Sequence, residues 1–196
     1  MTKPVAHRPG GRTARVRTQI LDATVRLVAR DGIAGLRYEE VAELAGVHRM
    51  SVYRNWPDRN SLVSEALMSV AEQTATLSDT GDLRQDLVDF LVAIAAGMAG
   101  PTGRALLLAI QSANDNPEVS AATSTVLAHR LAMVQRRADS ATARGDLPHV
   151  DARLLADLLT GPVHLHVDRD RRPFTAADAE RIVDVVLAGI RATATT

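Results

Sequence analysis

The chain has 196 residues, of which 46% are hydrophobic, 23% charged and only 3% aromatic. This length suits one or two small domains, and the shortage of aromatic residues indicates an aliphatic, helical core. The absence of cysteine excludes disulfide bonds and thiolate metal sites. No apolar run is long enough to cross a membrane and the N-terminus lacks an apolar signal core, so we expect a cytoplasmic protein without membrane contact.

The formal net charge of zero conceals an uneven distribution of charge. Residues 1–59 carry eleven basic and six acidic side chains, whereas residues 60–196 carry twelve basic and seventeen acidic ones. A basic N-terminal module on an acidic body is typical of a nucleic-acid-binding domain joined to a domain with another task. The alternative is a chance fluctuation of a few charges.

The first segment, residues 1–15, combines helix breakers with basic side chains. Its breakers are Pro4, Pro9, Gly10 and Gly11, and its basic residues are Lys3, Arg8, Arg12 and Arg15. We expect a flexible arm, which either contacts nucleic-acid phosphates or is only a solvated tail. The first helix is predicted over about residues 17–30, where apolar residues recur on one face, and Gly32 ends it.

Two short helices are predicted next, over residues 38–45 and 49–55. Gly46 lies between them, where a residue able to take a positive φ would end the first helix. The spacing of Ala42, Gly46 and Val52 is that of a helix-turn-helix, in which a small residue lets two helices approach and an aliphatic residue seats the second. With Val52 turned inward, the second helix presents a largely polar outer face that can enter a DNA major groove.

Several short motifs around these helices occur in a specific order and spacing. They are Ile20-Leu21-Asp22-Ala23, Asp31-Gly32, Val41-Ala42, Ala45-Gly46-Val47, Val52-Tyr53, Trp56-Pro57 and Leu62. Together they resemble the DNA-binding domain of the TetR (tetracycline-repressor) family of transcriptional regulators. The chain departs from the family's usual residues at four positions, which are His48, Met50, Trp56 and Arg59. These departures are compatible with the fold and concern which operator sequence is read.

The resemblance implies that the helix-turn-helix contacts DNA. The candidate contact residues are Arg37, His48, Arg49, Met50, Ser51, Tyr53, Arg54, Asn55 and Arg59. Tyr53 is expected to give its hydroxyl to a phosphate, and Arg49 and Asn55 to lie near base edges or the backbone. Arg37 lies where the family places a phosphate-contacting residue. The spacing alone leaves an alternative, a three-helix corner with a solvated polar face.

Six further helices are predicted from glycine, proline and capping residues. They cover about residues 59–77, 82–99, 104–114, 117–144, 151–167 and 176–191. Asp58 and Asp151 are expected to cap helix N-termini, and Thr175 with Asp178 has the pattern of a capping box. We therefore predict an all-α protein of about nine helices. Residues 16–60 would form the helix-turn-helix domain and residues 61–196 the effector-binding and dimerisation domain.

The last two predicted helices are apolar over more than one stripe, which exceeds what the core of one subunit requires. In the TetR family these helices form a four-helix dimer interface, so the resemblance implies a homodimer. The interface residues we predict are Leu155, Leu159, Val163, His166, Val183, Val186, Leu187 and Ile190. A two-fold dimer would present two reading heads to a palindromic operator in double-stranded DNA.

Regulators of this family usually bind a small effector inside the body, so the resemblance also implies a ligand cavity. The candidate lining residues are Phe90, Ile94, Met98, Leu107, Gln111, His129, Met133 and His164. Methionine and phenylalanine adapt to apolar ligands, and Gln111 with the histidines could fix a ligand's orientation. The alternative is that most of these residues are plain core. The few aromatic residues favour an aliphatic or mixed effector.

The stretch from His164 to Asp168 has the spacing H-x-H-x-D seen in metal-dependent hydrolases. On a helix, however, His164 and His166 would point about 200° apart and could not bind one ion. No glycine-rich phosphate loop or nucleophile motif occurs, so we predict no catalytic residue, metal or cofactor. A homodimeric repressor released by a small molecule is thus the preferred interpretation. A helical metal-dependent enzyme and an adaptor that does not bind DNA are the alternatives.

Overall fold

The computed structural model describes residues 11–112, 117–170 and 172–193, and the regular structure in these ranges is helical throughout. The helices are α1 Gly11–Asp31, α2 Tyr38–Ala45, α3 Arg49–Asn55, α4 Arg59–Thr74, α5 Leu83–Ala99, α6 Pro101–Ser112, α7 Pro117–Arg144, α8 Ala152–Leu165 and α9 Ala176–Thr193. A π-helical turn, His166–Asp170, continues α8. The predicted all-α fold is confirmed.

The helices α1 to α3 and most of α4 form one domain, the head, around its own hydrophobic core. Val41 and Val52 are fully buried there, and Trp56 is 2% exposed. Gly46 ends α2 with φ 66°, in the left-handed region, as its position predicted. The Asp58 side chain accepts a hydrogen bond from the Ser61 N–H at 2.8 Å and so caps α4, which confirms that prediction.

The remaining helices form the body, whose core lies between α5, α7, α8 and α9. The α9 helix packs against α5 and α8, and its predicted capping box is present. The Thr175 N–H donates to Asp178 Oδ2 at 2.9 Å, and the Asp178 N–H donates to Thr175 Oγ1 at 3.3 Å. Asp151 caps α8 by accepting from the Leu154 N–H at 2.8 Å, also as predicted.

Two helix pairs join the head to the body. The α4 helix packs along α7, and α1 packs against α6. Leu67 of α4 and Leu106 of α6 belong to the hydrophobic core of the head. A movement of α4 or α6 relative to the body would therefore change the packing of the head core.

The connection between α4 and α5 is held by a buried ion pair. Asp86 and Arg137 are each 3% exposed, and Arg137 Nη2 lies 2.8 Å from Asp86 Oδ2. Thr80 in the connection donates to the same carboxylate, through its N–H at 3.1 Å and its hydroxyl at 2.6 Å. Burial raises the pKa of Asp86, but the hydrogen bonds from Thr80 and Arg137 outweigh it and leave the pKa below its usual value.

Three helix boundaries differ from the prediction. Residues 11–15, predicted as part of the arm, are helical, because the run that follows Gly11 contains no helix breaker; residues 1–10 lie outside the described residues. The α4 helix ends at Thr74, three residues early, where Ala75 takes an extended conformation and is buried. Pro101 begins α6, since proline suits the first helical position.

The structure of the single subunit shows where the eight residues predicted for the dimer interface lie. All of them are buried inside their own subunit, and all except His166 belong to the body core: Leu155, Leu159, Val163, His166, Val183, Val186, Leu187 and Ile190. The exposed apolar stripe of α8 is offset from them by one residue, and one residue turns a helix face by about 100°. The stripe that stays exposed on α8 contains Leu154, Leu158 and Leu165.

No single helix among the described residues is long and apolar enough to span a membrane. The bent pair formed by Leu83–Ala99 and Pro101–Leu108 would reach that length and composition only when both helices are counted together.

Candidate functional site

The short helix α3 is held in place by contacts that its sequence neighbours provide. Val52 anchors it in the head core, and the Tyr38 hydroxyl of α2 donates to the Trp56 carbonyl at 3.1 Å. Burial raises the pKa of Tyr38 to about 12, so this hydroxyl stays protonated as a donor. The Trp56 indole N–H in turn donates to Glu65 of α4 at 2.9 Å. The middle and the C-terminal end of α3 are thereby attached to neighbouring helices.

The Arg17 guanidinium covers the outer side of the contact between Trp56 and Glu65. Arg17 of α1 forms an ion pair with Glu65, and its guanidinium lies 4.9 Å from the centroid of the Trp56 ring. Arginine over an indole face is a favourable cation–π arrangement. Since α1, α3 and α4 meet at Trp56, the orientation of α3 is set by the packing of the whole head.

The outer face of α3 is open to solvent, as the prediction requires. Arg37, His48, Arg49, Met50, Tyr53 and Arg54 are exposed, and Ser51, Asn55 and Arg59 are partly buried. The His48 imidazole Nδ1 accepts from the Met50 N–H at 3.3 Å and so caps α3. His48 therefore takes the capping role of the serine or threonine usual at this position in the family.

Three of the predicted DNA contacts have partners inside the head. The Tyr53 hydroxyl donates to Glu39 at 3.3 Å, and its ring lies 4.7 Å from the Tyr38 ring. The Asn55 amide donates to the Ser51 carbonyl at 2.6 Å, and Arg59 Nη1 donates to the Ala34 carbonyl at 3.3 Å. Asn55 and Arg59 thus stabilise the domain itself, and the exposed guanidinium groups remain the stronger candidates for contacting DNA.

Among the described residues, Arg49 and Arg54 carry no ion pair or hydrogen bond. They lie on the same exposed helix as the apolar tip Met50, which is 59% exposed. Guanidinium groups match phosphates and guanine edges, and an apolar tip can contact a thymine methyl group. This combination of groups can bind double-stranded DNA.

A cavity of about 300 Å³ lies between α4, α5, α6, α7 and α8. The apolar part of its wall includes Leu67, Val70, Phe90, Ile94, Met98, Leu106, Leu107, Ile110, Val126, Leu127, Leu131 and Val134. The polar part consists of Thr74, Thr123, Arg130, Asp157, Thr160 and His164. A mostly apolar cavity with a few polar groups is the usual form of a small-molecule site.

The predicted ligand residues fall into two groups. Five of them line the cavity, namely Phe90, Ile94, Met98, Leu107 and His164. The other three lie outside its lining. Gln111 is exposed, His129 lies 3.9 Å from Glu72 Oε1, and the Met133 sulfur accepts from the Leu77 N–H at 3.3 Å.

The prediction contained five wall residues and missed the rest, of which two parts bear most on function. One is the face of α4 formed by Leu67, Val70, Ala71 and Thr74, and the other is Arg130 of α7. A signal for Arg130 was present, because it shares a helix face with Val126, Leu127 and Val134 at spacings of three and four residues. A cation within an otherwise apolar stripe indicates a polar site in a buried surface.

The two histidines of the H-x-H-x-D stretch lie in different environments. His164 is exposed, with Nδ1 2.8 Å from the Thr160 carbonyl oxygen, whereas His166 is 7% exposed with Nε2 3.0 Å from the Arg172 carbonyl oxygen. The His166 ring also meets the edge of Phe174 at 5.2 Å. The described part of the chain contains no group of three histidine or carboxylate side chains able to hold a metal ion.

The head and body together define a class of protein, a helix-turn-helix transcriptional regulator with a helical body that contains a cavity. The chain matches the model of bacterial regulatory proteins of the tetR family over residues 20–66, and that of the tetracyclin repressor-like C-terminal domain over residues 77–186. These matches show that the chain belongs to the TetR family, which confirms the resemblance described above.

Individual relatives agree with this assignment. The chain is 28% identical to the HTH-type transcriptional regulator AqdR of Rhodococcus erythropolis over 179 residues, covering 91% of this chain and 86% of AqdR. It is 30% identical over 174 residues to an uncharacterised HTH-type regulator of Mycobacterium tuberculosis, covering 87% and 85% of the two chains. The crystal structure of the TetR family regulator SCO0332 is 30% identical, covers 90% of this chain and 98% of its own, and superposes with a TM-score of 0.70.

The chain is therefore a DNA-binding transcriptional regulator of the TetR family. The comparisons do not favour the alternatives of a metal-dependent enzyme or a non-DNA-binding adaptor.

Proposed function

We propose that this regulator is a cytoplasmic homodimeric repressor that binds a palindromic operator through α3 and is released by a small molecule bound in the body cavity. The observation that carries the proposal is the geometry of α3. This helix is anchored on one side by Val52 and Trp56, and its exposed side carries Arg49 and Arg54 without partners among the described residues.

Two copies of α3 are needed to read a palindrome. Their centres must enter successive major grooves about 34–36 Å apart. Each phosphate neutralised by an arginine should steepen the dependence of log affinity on log salt by about 0.9. Arg49 and Arg54 are the residues we assign to DNA on the face of α3, with Arg37 and the Tyr53 hydroxyl beside them at the backbone.

The second copy is supplied by dimerisation through the exposed apolar stripe of α8 and α9. Leu154, Leu158 and Leu165 on α8 are 52%, 42% and 59% exposed, and Val185 on α9 is 72% exposed. Their positions on α8 are four and seven residues apart, so they lie on one face. Gly161 continues this face, and a Cβ built there meets nothing within 4 Å. A second α8 can therefore approach closely, which favours a two-fold interface.

Release follows from the position of the cavity beside the head. Leu67 and Leu106 belong both to the head core and to the cavity wall. A ligand that prefers another position of α4 or α6 would change the separation of the two heads. To invert a 99:1 population of the DNA-binding state, it needs about 5.5 kcal/mol of differential affinity.

DNA binding is tested by fluorescence anisotropy on the DNA that flanks the gene of this protein, followed by footprinting. We expect protection of two symmetric half-sites and a steep salt dependence. Arg49→Ala should weaken binding by about 10- to 100-fold, in line with about 1–3 kcal/mol per base-reading arginine. Arg26→Ala is the matched control, since Arg26 is exposed on α1 and lines a hollow between α1, α4 and α6. Equal losses in both variants would contradict a specific role for α3.

Dimerisation is tested by sedimentation equilibrium of the full chain. We expect the wild type to be a dimer and Leu158→Glu to shift it towards the monomer, because a charge would be buried in the interface. Leu44→Glu is the control, since Leu44 is 48% exposed on α2 in the head. A monomeric wild type would remove the two-headed mechanism, even if one head still bound DNA weakly.

A further inference from the structure

Arg130 is an unusual member of the cavity wall. It lies near the middle of α7, and the residues at the neighbouring wall positions of this helix are Leu127, Leu131 and Val134. Its side chain is partly buried, and burial lowers the pKa of its guanidinium. Within the described residues, Arg130 makes no hydrogen bond and no ion pair. A charged group is thus held against an apolar cavity without a partner.

Several other arginines of the body have carboxylate partners. Arg137 pairs with Asp86 at 2.8 Å, Arg84 Nε with Asp184 at 2.7 Å, and Arg144 with Asp79 at 2.9 Å. An arginine remains protonated in proteins, so a guanidinium that loses water without gaining a counter-charge is costly. An anionic ligand would offset that cost at Arg130 and would gain a charge-assisted hydrogen bond.

The remaining polar groups of the wall limit the charge of such a ligand. Thr160 donates its hydroxyl to the Ala156 carbonyl at 2.9 Å, and the His164 ring is positioned by the Thr160 carbonyl. When His164 is neutral, Nδ1 carries the proton for that contact and Nε2 can only accept. Asp157 adds a negative charge, which is shared with Arg153 at 3.4 Å. With one guanidinium and one carboxylate in its wall, the cavity suits a ligand with a single negative charge and disfavours a dianion such as a phosphate monoester.

We propose that the body cavity binds a small apolar organic acid, with the carboxylate paired to Arg130 and the hydrocarbon part against the aliphatic walls of α4, α5 and α6. The planar guanidinium fork matches a carboxylate bidentately. The volume of about 300 Å³ lies at the lower end of ligand sites and suits a small molecule. This assignment deepens the effector site proposed above and rests on it.

The test is isothermal titration calorimetry of the full chain, without DNA, using octanoate, decanoate and dodecanoate and the primary alcohols of the same chain lengths. The wild type should bind at least one acid about 10- to 100-fold more tightly than its alcohol. In Arg130→Met, which replaces the guanidinium with a neutral flexible side chain, the acid should lose this advantage while the alcohol binds within about twofold of the wild type. Retained alcohol binding shows that the variant cavity is folded.

Arg136→Met is the matched control, because Arg136 is exposed on the same helix and does not line the cavity. It should bind acids and alcohols as the wild type does. The inference is overturned if no alkanoate binds, if acid and alcohol bind the wild type equally, or if Arg130→Met keeps the preference for the acid.

Operator release is measured separately, by anisotropy of the protein–DNA complex during titration with decanoate. Binding of decanoate through Arg130 without release would contradict the proposed effector role and leave the carboxylate site standing. Release by the alcohols alone, without binding of the acids, would support the regulator mechanism and overturn the carboxylate site.

Discussion

The head and the body pack their helices in different ways. The head holds Trp56 and both tyrosines of the chain, and it joins its helices through side-chain hydrogen bonds such as Tyr38 to Trp56. The body is mainly aliphatic, with Phe90 and Phe174 as its aromatic residues, and it leaves a cavity of about 300 Å³ between its helices. A filled core supports one geometry, whereas a cavity lets helices take more than one arrangement. This difference fits a rigid DNA-binding head attached to a body whose helices can shift.

Truncating the centre of the head should give the largest loss of stability. Trp56→Ala removes a side chain that is 2% exposed and touches three helices, so we expect the free energy of unfolding to fall by about 3–5 kcal/mol. Leu107→Ala in the body should cost less than about 2 kcal/mol, because Leu107 already faces a cavity. Urea denaturation of both variants measures these values. Equal losses would mean that the head and body cores are equally filled.

Breaking the buried ion pair of the body should have an effect of similar or slightly smaller size. Asp86→Ala leaves the Arg137 guanidinium buried without its partner, and we expect a loss of about 3–5 kcal/mol. Asp89→Ala on the same helix is the control, since Asp89 is exposed and should change stability by less than about 0.5 kcal/mol. A small effect of Asp86→Ala would show that the α4–α5 connection is held by packing alone.

Two glycine substitutions should have opposite signs. A Cβ at Gly103 in α6 would lie 1.9 Å from the Gly97 carbonyl oxygen of α5, so Gly103→Ala should destabilise the body by about 1–3 kcal/mol. At Gly161 in α8 a Cβ meets nothing, so Gly161→Ala should stabilise the subunit by about 0.5–1 kcal/mol through helix propensity. Thermal unfolding at several protein concentrations separates this gain from any effect on the dimer.

Lowering the pH should destabilise the body, because Asp79 becomes protonated. Hydrogen bonds from Ser140 and Arg144 lower the pKa of Asp79 to about 2, below the value of about 3.9 expected in the unfolded chain. A carboxyl with a lowered folded-state pKa stabilises fully above pH 4, and this contribution is lost as the pH falls towards 2. Asp79→Asn should therefore be less stable than the wild type at pH 6. The difference between the urea denaturation midpoints of the wild type and Asp79→Asn should disappear as the pH approaches 2. A difference that does not change with pH would contradict a lowered pKa of Asp79.

Loss of a helix cap should have a small effect that is equal in the two regions. Asp58 caps α4 in the head, and Asp82 caps α5 in the body by accepting from the Gln85 N–H at 3.0 Å. Substitution of either by alanine should cost about 1 kcal/mol, since a cap depends on its own helix terminus and hardly on the surrounding core. Chemical denaturation of both variants measures the two costs. A much larger cost at one site would show that its carboxylate has a second role.

Local features were predictable because they depend on a few successive residues. The caps at Asp58 and Asp151, the capping box at Thr175 and the left-handed turn at Gly46 were all placed correctly. The orientation of α3 was also predictable, since the spacing of Ala42, Gly46 and Val52 leaves one arrangement that buries the apolar residues. The predicted start of α6 was wrong, because Gly100 and Pro101 were interpreted only as breakers.

The sequence by itself determined the helices, their caps and the exposed polar face of the reading head, because each follows from residues within one or two helical turns. The tertiary structure decided which apolar stripe of α8 is buried, which wall residues α4 contributes to the cavity, and that Arg130 faces it without a partner among the described residues. A helix with two apolar stripes is compatible with either stripe inside, and only the positions of its neighbours select one. A cavity belongs to five helices at once, so no single stretch of sequence contains its outline.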